Sequence, residues 1–272
     1  MGVASADQRP DGWDAVASTY AQVLDPFTAL YAEEALRLVP PEPGSRVLDV
    51  ATGCGNLACL AAGRGADVLA IDFAPAMLAR LRVRLAKTEG RVRPAIMDGQ
   101  ALALPDAAFD AAYSVFGLMF FPDRVRGLRE MWRILKPGSR AVVAAWSSPE
   151  RMAFLPLVRR AVQAAVPGWA PPARRPSWHD LGAPGAFEAE ARAAGFREVT
   201  VHAVARPGTF PSADWLWSNM TGVSPVLSEL LGSLAPESVA AAGRVFVAEL
   251  QARFGGGSVT LPAEALLAVG RK

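Results

Sequence analysis

The stretch Val47-Leu48-Asp49-Val50-Ala51-Thr52-Gly53-Cys54-Gly55 decides the fold of this chain. It is an apolar run that ends in two glycines, and apolar residues at helical spacing follow at once (Leu57, Leu60 and Ala61). The pattern predicts a buried strand, a tight turn and a helix whose N-terminus faces the turn. Glycine has no Cβ, so the backbone of this turn can adopt positive φ and can come close to a ligand.

Strand and helix patterns alternate over the next hundred residues. Strands are predicted at 46–51, 67–71, 92–97, 109–115 and 141–146, and helices at 56–63, 75–87 and 123–135. This alternation predicts an α/β fold with parallel βαβ units joined by right-handed crossovers. In such open sheets the ligand lies beyond the carboxyl ends of the strands. The residues that end these strands should therefore converge on one site, namely Asp49–Gly55, Asp72, Asp98, Gly99 and Ser114–Phe116.

The sequence on either side of this core predicts further helices and two more strands. We interpret the chain as a single domain divided into an N-terminal helical cap (1–40), a ligand-binding core (41–146), two lid insertions (147–195 and 207–257) and closing strands (196–206 and 258–272). The insertions are helical and rich in aromatic residues. They are expected to cover the carboxyl edge of the sheet.

Composition narrows the function classes. The chain has 272 residues, is 51% hydrophobic and carries a net charge of +2, with no Lys/Arg cluster among aromatics, so nucleic acid is not an expected partner. The longest apolar stretch, 111–121, is too short for a membrane span, which needs roughly 20 residues. The polar start of the chain and two unpaired cysteines, Cys54 and Cys59, predict a cytoplasmic protein, and two distant histidines argue against a metal site. The oligomeric state stays open between a monomer and a homodimer.

The glycine turn on its own fits two kinds of nucleotide ligand. Gly53-x-Gly55-x-x-Ala58 satisfies the dinucleotide fingerprint, and Asp72 follows at the distance of a ribose-binding acid. An acid at Asp49 would repel a pyrophosphate but suits a cationic amino-acid group. Asp98 can accept an amine hydrogen bond of the kind that adenine N6 offers. Asp49 bonding only the loop backbone and Asp98 forming only a turn remain alternatives.

Several motifs in order give the chain a family resemblance. They are Val47–Gly55 with Asn56-Leu57-Ala58, Ala70-Ile71-Asp72-Phe73, Asp98-Gly99-Gln100-Ala101-Leu102, Phe109-Asp110 and Arg133-Ile134-Leu135-Lys136-Pro137-Gly138. Over about residues 44–146 the chain resembles class I S-adenosylmethionine-dependent methyltransferases, and within them the ubiquinone/menaquinone C-methyltransferase-like (methyltransferase type 11) group. One departure is that Ala51 stands where the family has its first loop glycine.

The resemblance implies a fold, a cofactor and a set of binding residues. The fold would be a Rossmann-like, seven-stranded, mostly parallel sheet with an antiparallel last strand, helices on both faces and helical lid insertions. The cofactor would be S-adenosylmethionine. Its methionine end would contact Asp49 and the turn, its ribose Asp72 and its adenine Asp98. The implied binding set is Asp49, Ala51, Gly53, Gly55, Asp72, Phe73, Met77, Asp98, Gly99, Gln100, Ser114 and Phe116.

Methyl transfer from a sulfonium is a single in-line displacement, so the enzyme mainly has to align the reactants in a dry pocket. Aromatic rings at Tyr20, Phe116 and Phe120 are candidates for the pocket wall, since they can also attract the sulfonium. A base is needed only if the nucleophile carries a proton. Our hypothesis is that His179 or Tyr20 removes that proton, with His202 a weaker candidate.

The two predicted lid insertions indicate the chemical class of the methyl acceptor. Their aromatic and apolar residues predict an apolar or aromatic small molecule, such as a quinol, phenol or polyketide; they are Trp169, Trp178, Trp215, Trp217, Met220 and Phe246. Arg174 and Arg175 could meet a carboxylate or phosphate on it, although a solvated pair is the simpler interpretation. Two other functions stay open, an NAD(P)-dependent oxidoreductase and a non-catalytic scaffold that keeps the cofactor site.

Overall fold

A seven-stranded sheet forms the centre of the computed structural model, which describes residues 5–86, 91–170, 177–183 and 185–272. Its strands are β1 (Arg46–Val50), β2 (Asp67–Asp72), β3 (Arg91–Ile96), β4 (Phe109–Val115), β5 (Leu135–Trp146), β6 (Arg197–Ala205) and β9 (Glu264–Arg271). They lie in the order β3-β2-β1-β4-β5-β9-β6. The first five are parallel, and β9 is antiparallel to both β5 and β6. The predicted mostly parallel sheet with an antiparallel last strand is confirmed.

Ten α-helices surround the sheet in the described part of the chain. They are α1 (Pro10–Val23), α2 (Asp25–Leu38), α3 (Asn56–Gly63), α4 (Pro75–Leu85), α5 (Arg124–Ile134), α6 (Phe154–Ala165), α7 (Ala186–Ala193), α8 (Ala213–Met220), α9 (Pro225–Gly232) and α10 (Pro236–Phe254). The strand order reverses direction between β1 and β4. Because parallel crossovers are right-handed, α3 and α4 lie on one face of the sheet and α5 on the other.

The centre of the sheet is apolar on both faces, as expected for parallel strands covered by helices. Leu48 and Ile71 are fully buried, and so is Tyr113, whose hydroxyl donates to the carbonyl oxygen of Val39 in the loop before β1. Asp49 pairs in register with Ala70 of β2 and Tyr113 of β4. Asp49 therefore lies near the middle of the sheet, at the carboxyl end of β1.

One predicted boundary was wrong. Strand β5 begins at Leu135, not at 141, because Leu135 already pairs with Phe109 before the register shifts, and so Lys136-Pro137-Gly138 lies inside the strand. The predicted closing segment 258–272 divides at Pro262. Its first part, β8 (Val259–Leu261), pairs with β7 (Gly208–Phe210) in a separate two-stranded sheet.

Among the described residues no single helix is long and apolar enough to cross a membrane. The pair α9 and α10 meets the length and composition criteria only when taken together, and it is bent by 119°.

Candidate functional site

A cleft with about 1060 Å³ of empty space opens at the carboxyl ends of β1, β2 and β4. Eleven of the fourteen residues that the sequence predicted for the site line it, namely Tyr20, Asp49, Ala51, Gly53, Asp72, Phe73, Met77, Asp98, Gly99, Gln100 and Phe116. Gly55, Ser114 and His179 are not among its lining residues. The strand-end rule thus brings nearly all of the predicted binding residues together.

The two glycines of the turn have different environments. Gly53 has φ +55°, and a Cβ built on it would meet no atom within 4 Å, so this residue faces the open cleft. Gly55 has φ +85°, and its Cβ would lie 2.2 Å from Cδ1 of Leu81 in α4. Gly53 therefore leaves room for a ligand, whereas Gly55 lets α4 pack against the turn.

Ser114, predicted near the transferring methyl, lies beneath the cleft wall. Its side chain is fully buried, and its Oγ accepts the backbone N–H of Leu118 at 3.1 Å. Ser114 thus shapes the turn after β4. Its neighbours Val115, Phe116 and Gly117 reach the cleft instead.

The Asp72 carboxylate holds the glycine turn in place. It is 5% exposed, and it accepts the backbone N–H groups of Gly53 at 2.8 Å and Ala74 at 2.9 Å. Burial raises the pKa of Asp72 to about 6, against the opposing effect of these two hydrogen bonds. One carboxyl group therefore fixes the turn after β1 and the start of α4 while lining the cleft.

Asp49 is more deeply buried, at 1% exposure. Its Oδ2 accepts the hydroxyl of Thr52 at 2.5 Å. Burial raises the pKa of Asp49 to about 7, and the nearby Asp72 adds to that shift. A cation bound beside either acid would stabilise its ionised form and lower its pKa.

Asp98 is exposed at the end of β3, and its Oδ1 accepts the backbone N–H of Gln100 at 2.8 Å. This is the turn geometry left open as an alternative, and the same carboxylate also lines the cleft. Gly99 is buried under Phe121, whose Cζ would lie 2.5 Å from an added Cβ. The cleft is therefore closed off beneath this turn.

A second cavity of about 900 Å³ adjoins the cleft. It is enclosed by α1, α2, the lid helices and the small sheet, and its wall includes Trp146, Phe154, Phe210, Met220 and Leu227. None of its lining residues in the described part of the chain carries a charge. Sequence spacing could not have predicted this cavity, since its wall combines residues 13 to 263.

Five residues line both cavities and so form the junction between them. Three are aromatic, Trp13, Phe116 and Phe120, and two carry hydroxyls, Tyr20 and Thr28. The rings of Trp13 and Phe120 meet edge to face, with centroids 4.9 Å apart. Phe116 stacks on Trp146 at 3.8 Å, and its backbone is held at φ +61°, a strained conformation for a side-chain-bearing residue.

The candidate bases lie in three different environments. Burial, and secondarily the negative charge of Asp25, raises the pKa of the Tyr20 phenol, so Tyr20 stays protonated at neutral pH. His179 lines neither cavity; its Nδ1 lies 3.2 Å from the carbonyl oxygen of Ser147, and burial lowers its pKa. His202 is exposed on β6 beside Thr200. Of the three, only Tyr20 lines the two cavities, and the assignment of a base stays a prediction.

A polar network beside the junction was missed from the sequence. Asp25, the first residue of α2, is buried and forms an ion pair with Arg84 of α4. Asn56 bridges the two, since its Nδ2 donates to Asp25 Oδ1 at 2.9 Å and its Oδ1 accepts from Arg84 at 2.7 Å. Sequence spacing did not indicate this network, because the partners of Asp25 are 31 and 59 residues away.

The predicted lid residues separate into several groups. Met220 lines the second cavity, whereas Trp217 packs on Phe246 within the lid and Trp215 stacks on Phe210. Trp169 packs against the main core. Arg174, Arg175 and the side chain of Trp178 lie outside the described residues.

The cleft fits S-adenosylmethionine better than it fits a dinucleotide. Five aspartates line the cleft (Asp7, Asp25, Asp49, Asp72 and Asp98), and no Lys, Arg or His stands among its described lining residues. Such a wall opposes a pyrophosphate and favours a ligand with cationic groups. The open face of Gly53 gives the close approach that the ligand needs.

Comparisons with known proteins agree with this geometry. Residues 47–138 match the family model described as a methyltransferase domain. A demethylmenaquinone methyltransferase of Thermus thermophilus is 40% identical over 140 residues, covering 50% of this chain and 63% of the relative. The ubiquinone/menaquinone biosynthesis C-methyltransferase UbiE of Geobacter sulfurreducens is 36% identical over 129 residues, covering 46% and 50%. The chain thus spans about half to two thirds of the length of these relatives.

A putative methyltransferase from Bacillus halodurans shares the fold, with a TM-score of 0.57 and 20% identity over 89% of this chain and 98% of that one. The family model covers the glycine turn and the three acids at the strand ends, Asp49, Asp72 and Asp98. Residues 47–138 therefore match a methyltransferase domain, and they contribute most of the cleft whose geometry suits S-adenosylmethionine.

Proposed function

We propose that this protein transfers a methyl group from S-adenosylmethionine to a small apolar or aromatic molecule. The observation that carries the proposal is the junction of the acid-lined cleft with the uncharged second cavity. The cleft suits the cofactor and the second cavity suits the acceptor. The methyl group would pass through the junction between the two cavities, which is lined by Trp13, Tyr20, Thr28, Phe116 and Phe120.

When bound, S-adenosylmethionine supplies a methyl group already activated by its sulfonium. The protein's own contribution is alignment and the exclusion of water, and proximity of this kind can supply roughly 7–11 kcal/mol. The Trp13, Phe116 and Phe120 rings shield the junction from solvent. The Tyr20 hydroxyl, which interacts with the Thr28 side chain, provides a polar contact there.

The acceptor proposed here carries no ionised group in the second cavity. A buried charge without a partner is costly, and the described wall offers none. The wall also offers no carboxylate or imidazole as a base, so the acceptor's own acidity or nucleophilicity must suffice. Two relatives are named for demethylmenaquinone and ubiquinone/menaquinone methylation. A quinol, phenol or polyketide-like molecule is consistent with this cavity.

The dinucleotide fingerprint favours an NAD(P)-dependent oxidoreductase as a second candidate. Five aspartates around the cleft and the lack of a described basic lining residue argue against a ligand with phosphates. Calorimetry with NAD+, NADP+ and S-adenosylmethionine separates the two functions. A non-catalytic scaffold would bind S-adenosylmethionine but would not transfer a labelled methyl group from it to any acceptor.

We expect Leu227→Trp to abolish methyl transfer without weakening cofactor binding. Leu227 is buried on the wall of the second cavity and is not part of the cleft, so the larger side chain fills acceptor space only. The measurement is transfer of labelled methyl to a panel of quinols, phenols and polyketides, with more than a tenfold loss expected. Val223→Phe, on the same wall, serves as a second variant. Full activity in both variants, with folding intact, would place the acceptor elsewhere.

Cofactor affinity should rise with pH between about 5.5 and 8. The pKa values of Asp72 and Asp49 are raised to about 6 and about 7, so both are largely protonated at pH 5.5 and ionised at pH 8. A cationic ligand binds the ionised forms, so the dissociation constant should be roughly tenfold or more lower at pH 8. The cofactor-free protein follows the opposite trend. Raised pKa values stabilise the fold at low pH, and this contribution is lost as the pH rises through 6 and 7.

Calorimetry in buffers of different ionisation enthalpy measures this coupling. Binding at pH 6.5 should release protons to the buffer. A pH-independent dissociation constant would contradict the role given to these two acids.

We further place this activity in the cytoplasm, where the two free cysteines, Cys54 and Cys59, would stay reduced. A homodimer is consistent with the proposal but is not required by it, because both cavities are formed within one chain.

A further inference from the structure

We propose that Tyr20 and Thr28 determine which acceptors the second cavity takes, by selecting a molecule that donates a hydrogen bond to the Tyr20 oxygen. This inference rests on the proposed function, since the methyl acceptor has to occupy the second cavity. It adds a rule of specificity that the apolar wall does not supply. The rule follows from the direction of each hydrogen bond between Arg84, in the interior, and the junction of the two cavities.

The side chain of Asn56 has one orientation because Arg84 is bonded to it. A guanidinium can only donate hydrogen bonds, so the Asn56 atom that lies 2.7 Å from Arg84 is the oxygen, Oδ1. The amide nitrogen is thereby directed to the other side. There it donates to the carbonyl oxygen of Asp25 at 2.6 Å and lies 3.3 Å from Thr28 Oγ1. Asn56 therefore presents a donor, and not an acceptor, to the Thr28 hydroxyl.

The Thr28 hydroxyl has one proton and two lone pairs to share. Its proton is donated to the carbonyl oxygen of Asp25, three residues earlier in α2, at 3.0 Å. One lone pair faces the Asn56 amide nitrogen. The Tyr20 side chain also hydrogen-bonds to this hydroxyl. Because Thr28 has no second proton to give, the Tyr20 hydroxyl is the donor in the bond between the two side chains.

This direction leaves the Tyr20 oxygen as a hydrogen-bond acceptor at the junction. Its proton is engaged by Thr28, and burial keeps the phenol protonated by raising its pKa. Among the described residues that line both cavities, the third polar side chain is that of Trp13, whose Nε1 already donates to the carbonyl oxygen of Asp7 at 2.9 Å. Tyr20 therefore offers a lone pair, without a free proton, to a molecule in the second cavity.

The second cavity should accordingly distinguish donors from acceptors of hydrogen bonds. An O–H or N–H group that reaches the junction satisfies both itself and the Tyr20 oxygen. An ether or carbonyl oxygen at the same place would face another lone pair, in a cavity whose described wall carries no charge. A polar group buried without a partner is strongly disfavoured, so we expect about tenfold discrimination between the two kinds of molecule.

Titration calorimetry with 1-naphthol and 1-methoxynaphthalene tests the proposal on the whole chain. The protein is first saturated with S-adenosylhomocysteine, which occupies the cleft and has no methyl group to transfer. The two probes share a flat apolar body and an oxygen at the same position, and only the naphthol can donate. We expect the naphthol to bind about tenfold more tightly. Equal affinities, or tighter binding of the ether, would overturn the inference while leaving the proposed function intact. Absence of binding by both probes would overturn both.

Variants of the two hydroxyls separate this selection from the size of the probes. Tyr20→Phe removes the accepting oxygen and should bring the two dissociation constants within about twofold of each other. Thr28→Val removes the lone pair that engages the Tyr20 proton. That proton can then be donated to the ether, so the preference for the naphthol should fall about threefold or more. Thr28→Ser keeps the hydroxyl and should restore the native preference.

Tyr113→Phe is the matched control, because it removes a buried hydroxyl that donates to the carbonyl oxygen of Val39, and Tyr113 lines neither cavity. Its preference for the naphthol should equal that of the native protein. A native preference in folded Tyr20→Phe or folded Thr28→Val protein would show that the methoxy group is rejected by its size, and would overturn the inference. If a variant does not fold, the two-probe comparison on the native chain still decides the outcome.

Discussion

Replacement of Asp72 by alanine is expected to weaken S-adenosylmethionine binding by about 100-fold, or roughly 2.7 kcal/mol. The buried carboxylate accepts two backbone N–H groups, from Gly53 at 2.8 Å and Ala74 at 2.9 Å. Its removal leaves both donors without their partner, and a buried unsatisfied group costs about 1–3 kcal/mol. The glycine turn would lose the contact that holds it against the start of α4. The proposed ribose contact would disappear with it.

The measurement is the dissociation constant by calorimetry, with unfolding followed by circular dichroism. Asp110→Asn is the matched control. Asp110 also accepts two hydrogen bonds, one from the backbone N–H of Arg46 and one from the side chain of Lys136. It lines neither cavity, so its loss should lower stability and leave cofactor affinity unchanged. A dissociation constant for Asp72→Ala within threefold of the native value would show that the carboxylate does not organise the site.

Much of the cofactor cleft could be predicted because its parts are local in sequence. Each binding segment is a strand end followed by a turn, and the parallel arrangement brings those ends to one edge of the sheet. Asp49, Asp72 and Asp98 were predicted in this way and line one cleft. Even there the sequence did not distinguish Gly53, which faces the ligand space, from Gly55, which packs on Leu81.

The acceptor side could not be predicted because its parts come from distant segments. The second cavity combines α1, α2, the turn after β4, the lid and the small sheet, and no periodicity links them. His179 was proposed as a base because it lies in the first predicted lid insertion. Its position beside Ser147, outside both cavities, depends on how the lid folds back on β5. Ser114 was placed at the site by its strand end, but side chains alternate along a strand, and this one points inward.

Gly117→Ala is expected to destabilise the protein by about 2 kcal/mol through overpacking. The Cβ at this position would lie 2.3 Å from the Cβ of Ala51, closer than any two such atoms can approach. Ala51 is the residue that replaces the family's loop glycine, and it holds φ at +55°. A left-handed conformation costs a residue with a side chain roughly 1–2 kcal/mol, so Ala51→Gly should itself be neutral or stabilising.

The double variant should recover most of the loss, because Ala51→Gly removes the atom that clashes. The remaining neighbours of the Gly117 position, Ser114 Oγ at 3.2 Å and Ala51 O at 3.3 Å, are close but need only small shifts. A double-mutant cycle by urea unfolding of the cofactor-free protein should give a coupling energy of about 2 kcal/mol. Gly63→Ala is the control partner for Ala51→Gly, since a Cβ at Gly63 meets no atom within 4 Å. Additive effects of Gly117→Ala and Ala51→Gly on the free energy of unfolding would contradict this coupling. They would mean that the turn after β4 moves away from the glycine turn, so that Ala51 does not require glycine at position 117.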